Sequence, residues 1–95
     1  MAIKVIIERK AIPGNDLELN RVLMELRSKA MNVNGYISGE TLRELDDPNT
    51  CIVISTWNTL GDWKAWEANP ERVDLQKKID ALLRAPSKHR VFVYY

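Results

Sequence analysis

The chain has one cysteine and one histidine among its 95 residues, and each scarcity removes a class of chemistry. Cys51 alone cannot form an internal disulfide framework. With no adjacent histidine and no C-x-x-C partner, it reads as a structural thiol rather than a nucleophile. His89, set between Lys88 and Arg90, cannot build a metal site by itself. Its cationic neighbours disfavour its charged form, so it reads as a surface residue rather than a general base. No Gly-rich phosphate loop, paired-carboxylate site or metal-ligand cluster is present, and the expectation is a protein without metal or cofactor. Long apolar runs are missing too, so nothing here spans a bilayer. The opening MAIKVIIERK places charges where a secretory leader needs an unbroken apolar stretch, and the expected location is the cytoplasm. Charge of one sign is not in excess: 14 basic against 13 acidic residues give a net +1. Neither nucleic acid nor an anionic membrane has much to attract it. With no linker, repeat or low-complexity segment, residues 1–95 read as one domain with a modest core.

What is there is mostly periodic. Residues 2–11, AIKVIIERKA, alternate as a strand, with Ile3, Val5 and Ile7 on one face. IPGND turns the chain. Leu19, Val22, Leu23, Leu26 and Ala30 then recur at helical spacing, and NVNG ends that helix. YISGETLREL predicts a second strand, DDPN a turn, and TCIVISTW a central strand apolar on both faces. A short helix follows from about Leu60 to Ala68. The pair NP stops it and starts another that carries Leu75, Ile79, Leu82 and Leu83 toward the core. HRVFVYY is the last strand. The order is β-α-β-β-α-β with the second helix broken in two, an α+β, ferredoxin-like arrangement of a four-stranded antiparallel sheet with helices on one face.

A sheet covered on one face only should be polar on the other. Here Ile6, Ile52, Ile54 and Phe92 lie opposite Val5, Val53 and Val91, and no chain is left to cover them. A second copy packed sheet to sheet, a homodimer with two-fold symmetry, is the simplest cover. RNA binding on such a sheet would need exposed stacking aromatics with a basic surround, which the balanced charge does not supply.

The stretch GYISGETLRELDDPNTCIVISTWNTLGDWKAWEANPE resembles the antibiotic biosynthesis monooxygenase family of dimeric α+β barrels. The pattern is a glycine and aromatic opening strand two, an acidic-proline turn, a strand closing in S-x-W, and a short helix with A-W before P-E-R. The resemblance implies a ligand cavity between sheet and helices. It also implies cofactor-free oxygenation of phenols or quinols as one activity among several, haem degradation being another. All three tryptophans fall in this stretch. Trp57 matches a strand-end residue that lines the cavity in the family. Trp66 matches the tryptophan that haem-degrading members press against the porphyrin, and Trp63 stands where quinone-forming members have a tyrosine. The expectation is that Trp57 and Trp66 face a small aromatic ligand while Trp63 mainly packs. Gln76 aligns with the haem-ligating histidine and Glu8 with an asparagine of the same group, so haem degradation is rejected. Val53 replaces a cavity asparagine of the quinone-forming members. Arg72 and Gln76 remain as polar groups able to steady a phenolate, and no catalytic residue is assigned. Tyr36, Tyr94 and Tyr95 are further hydrogen-bond donors. Leu17, Met24 and Met31 form a side stripe on the first helix, fit for a core edge, a dimer contact or adaptable cavity thioethers. The alternative function is a non-catalytic small-molecule-binding or self-association module of the same fold.

Overall fold

The computed structural model describes residues 1–95. Its elements run β1 (Ile3–Lys10), α1 (Asp16–Ala30), β2 (Tyr36–Arg43), β3 (Thr50–Trp57), α2 (Leu60–Glu67), α3 (Pro70–Asp80) and β4 (Lys88–Val93). The four strands form one antiparallel sheet in the order β2-β3-β1-β4. This is the arrangement that the alternation of periodicities predicts, with α2 and α3 as the two parts of the broken helix.

Strict alternation governs β1: Ile3, Val5, Ile7 and Arg9 are buried, and the residues between them are half-buried. Register then assigns the neighbours to faces. Val5 lies opposite Ser55 and Val91, and Ile7 opposite Val53 and His89, on the side covered by helices. The apolar stripe of α1, from Leu19 to Ala30, closes over this face, with acidic residues in its first turn and basic ones in its last, as the helix dipole favours. α1 and α3 pack side by side, and Leu75 and Ile79 complete the core.

Two devices hold the short α2 in place. Thr59 caps it, its Oγ1 accepting from the Asp62 backbone N–H at 3.0 Å and donating to the Asp62 carboxylate at 2.9 Å. The same carboxylate accepts from Asn34 at 3.2 Å. It therefore ties α2 to the turn at Gly35, which sits at φ 85° with its Cα against Asp62. Asn69 then caps α3 by accepting from the Glu71 N–H at 2.9 Å, and Pro70 opens that helix.

The structure departs from expectation at several element ends. α3 stops at Asp80, so Leu82 and Leu83 reach the core from a turn. Leu83 pairs in an isolated bridge with Ala11, and the Leu82 carbonyl accepts from the Ile12 N–H at 2.9 Å. β2 stops at Arg43, leaving Leu45 in solvent. Tyr94 and Tyr95 follow β4 and are exposed. Leu17, Met24 and Met31 are also exposed, which excludes the methionines from any cavity. The outer face of the sheet carries Ile6 opposite Ile54, with Leu42 opposite Ile52 and Phe92 opposite Lys4, and no helix of the chain covers it.

Candidate functional site

Trp57 is the last inward residue of β3. It lies between Ile3 of β1 and Tyr36 of β2. Its Nε1 donates to Ser55 Oγ at 3.0 Å, a partner two residues back on the same face. The Tyr36 ring meets it edge-on, with centroids 5.3 Å apart and planes at 86°. α2 then delivers Trp63 and Trp66 on one side of a two-turn helix. Trp63 packs against Trp57 with centroids 5.8 Å apart. All three indoles are at most 4% exposed.

The three rings border one cavity of about 50 Å³, closed by Ile7 and Val53 of the sheet and by Leu23 and Leu26 of α1. A wider cleft of about 370 Å³ backs onto it beneath β2 and the β2–β3 turn, and Leu23 and Thr41 line both. The cleft by itself falls in the range of roughly 300–1,000 Å³ usual for small-molecule sites, and the tryptophan-lined space is smaller. The expected division of labour changes in one respect. Trp63 borders the cavity as Trp57 and Trp66 do.

Cations set the electrostatics. Arg9, the fourth inward residue of β1, is 1% exposed and lines the cavity. Its Nη2 donates to Gln76 Oε1 at 3.0 Å, while Nε and Nη1 have no partner. Arg72 of α3 lays its guanidinium over the Trp63 ring, 5.2 Å from the centroid. No carboxylate forms an ion pair with either arginine. Burial, reinforced by the charge of Arg72, brings Arg9 down to about 10. Burial also lowers Arg72, partly offset by Glu67 and Asp80. Of the other charged residues along the cavity, Arg27 is exposed, and Glu40 registers with Ile54 on the outer face of the sheet.

Gln76 does not line this cavity. Its amide carbonyl is engaged by Arg9 and its Nε2 donates to Asp80 at 2.8 Å, so it orients Arg9 from behind. Arg9 is thus the functional candidate that the sequence reading passed over. The alternation Ile3, Val5, Ile7 already pointed position 9 inward, but its place in the run Glu-Arg-Lys resembles a solvated strand end. His89 lies 6.3 Å from Trp63 between ring centroids, with Nε2 3.5 Å from Glu67, and is half-exposed outside the cavity. Among the tyrosines only Tyr36 reaches the cavity. Cys51 lines the neighbouring cleft. Burial pushes its thiol up, against a smaller opposing effect of Arg9, which suits an unreactive residue. No group of three or more His, Cys, Asp or Glu side chains could hold a metal ion.

A cavity between sheet and helices with a strand-end tryptophan at its wall is the arrangement that the sequence resemblance implied. The family model for antibiotic biosynthesis monooxygenases matches residues 2–78. The chain belongs to that family. Solved structures of the same fold include SnoaB, described as a cofactor-independent oxygenase from Streptomyces nogalater. It is 20% identical, with a TM-score of 0.87 over 100% of this chain and 95% of that one. Rv0793 from Mycobacterium tuberculosis is 14% identical, with a TM-score of 0.91 over 100% and 96% of the two chains. A conserved protein from Methanosarcina mazei Go1 is 15% identical, with a TM-score of 0.91 over 97% and 91%. At these identities the likeness is one of fold. No curated protein matches the chain in sequence. In this chain the cavity wall carries one buried arginine, Arg9, and one half-buried arginine, Arg72, neither in a salt bridge.

Proposed function

We propose that this family member is a monooxygenase-like protein that acts on a small phenol or quinol without metal or organic cofactor, and that it works as a homodimer joined through the outer sheet faces. The observation that carries the reading is the aromatic cavity with Arg9 and Arg72 at its wall. A phenol becomes an electron donor to dioxygen once it is ionised, and two uncompensated guanidiniums favour the ionised form. The tryptophan walls exclude water around it. For a quinol the reaction balances with no other reactant. One atom of O₂ becomes a new ring hydroxyl, the other leaves as water, and the substrate, ending as a hydroxyquinone, supplies all four electrons.

The test is oxygen uptake with a panel of dihydroxynaphthalenes and related phenols in the presence of a chelator, after subtraction of the uncatalysed rate. Enzyme-dependent uptake, with one equivalent of hydroxylated product per O₂, supports the reading. Tight binding with no uptake would instead favour the second reading, a small-molecule-binding module. One observation speaks for that alternative: Glu40 registers with Ile54 on the outer face of the sheet, no other carboxylate residue and no histidine lines the cavity, and a built-in base is lacking.

A further inference from the structure

Three buried side-chain polar atoms in the molecule have no hydrogen-bond partner: Arg9 Nε, Arg9 Nη1 and Trp63 Nε1. All three are N–H donors, and both residues line the same cavity. Buried donors are ordinarily satisfied, and buried indole N–H groups usually find an acceptor. Here the missing partner is therefore a hydrogen-bond acceptor. Charge gives the second half of the specification. Both Arg9 and Arg72 line this cavity, the charge of Arg72 disfavours the Arg9 cation, and neither forms a salt bridge with a carboxylate. Gln76, itself braced by Asp80, holds the Arg9 guanidinium from the side away from the cavity. This fixes the cation rather than neutralising it.

We infer that the cavity takes an aromatic carboxylate, with the carboxylate on Arg9 and Trp63 Nε1 and the ring among the tryptophans. A carboxylate is planar, accepts only, and matches guanidinium donors better than any neutral group. Arg72 is then left to face a second oxygen on the ring. The inference deepens the proposed function and rests on its reading of the cavity as the substrate site: the substrate class becomes a hydroxy-aromatic acid, whose two oxygen-bearing groups answer the two arginines. A phosphate would leave the apolar indole walls without a partner, whereas an aromatic acid meets both the donors and the rings.

Calorimetric titration of the full-length protein with 1-hydroxy-2-naphthoic acid, its methyl ester and 1-naphthol at neutral pH decides the matter without turnover. The expected result is that the acid binds at least tenfold more tightly than either neutral probe. The preference should weaken with added salt and be lost in Arg9→Met, while Arg9→Lys keeps part of it. Folding of each variant is checked by circular dichroism, and the wild-type comparison stands by itself if Arg9→Met does not fold. Equal affinities for all three probes would overturn the inference yet leave an aromatic cavity in place. Binding of none of them would overturn both. Tight, acid-selective binding without oxygen uptake would uphold the inference and remove the oxygenase reading.

Discussion

Arg9 gives up nearly all of its hydration and receives in return one hydrogen bond, from its Nη2 to Gln76. Burial brings the pKa of Arg9 down to about 10, which corresponds to roughly 3 kcal/mol of stability lost at neutral pH. The sign follows from proton binding. Below pH 10 the folded and unfolded states both carry the charge, and the penalty is complete. Above about pH 10 the folded protein loses the proton before the unfolded chain does, so the penalty lifts as pH rises. Arg9→Met, similar in length and apolar, should raise the urea midpoint of the empty protein at pH 7 and show a smaller gain at pH 10.5. A lower midpoint at pH 7 would show that Arg9 is compensated. Trp63→Ala removes a fully packed indole and should cost about 3–5 kcal/mol. Trp66→Phe should cost far less, while weakening the quenching of tryptophan fluorescence by a bound aromatic. The cavity position of Trp57 came from the family resemblance, while the buried stripe of α1 and the end of β3 at Trp57 follow from local pattern and were legible in the sequence. The role of Gln76 was not, because its partner Arg9 lies 67 residues away and no spacing rule joins a strand to a helix at that distance.

Among the elements, α2 makes the tryptophan wall, yet it is only eight residues long. A helix of that length has no independent stability, so its caps and its tie to Gly35 carry it. Thr59→Ala should lower stability by about 1 kcal/mol. Gly35→Ala should do more damage, since it combines a left-handed backbone with a Cβ directed into the Asp62 carboxylate. If either variant loosens α2 without unfolding the sheet, hydrogen exchange should quicken in residues 60–67 and remain slow in β1 and β3. Element order and face assignment were legible because periods of 2 and 3.6 differ sharply over eight or more residues. Ends were less so. Leu82 and Leu83 continue the apolar rhythm of α3, but the chain leaves the helix at Asp80 to pair with Ala11 and Ile12, a tertiary preference with no local signal. The place of Trp63 at the cavity wall likewise depends on how α2 sits on the sheet, which the angular spacing of its residues does not give.

For the molecule as a whole, the uncovered face of the sheet is the largest unfinished business. Ile6, Ile54, Ile52, Leu42 and Phe92 form an apolar centre, with Lys4, Glu8, Glu40 and Arg90 around them. If two copies meet there, sedimentation at micromolar concentration should give about twice the 11.0 kDa chain mass. Ile54→Glu at the centre of the patch should return a monomer with an unchanged far-ultraviolet spectrum. A wild-type monomer would remove the dimer from the proposal. The buried cation described at Arg9 also bears on how long the protein lasts. An anion that satisfies it stabilises the folded chain by mass action, while empty copies keep the full penalty and open more often. Proteases act on the opened form. Turnover would then track ligand supply: filled copies persist, vacant ones are cleared, and the amount of protein in a cell adjusts to the amount of compound it has to handle without any change in synthesis.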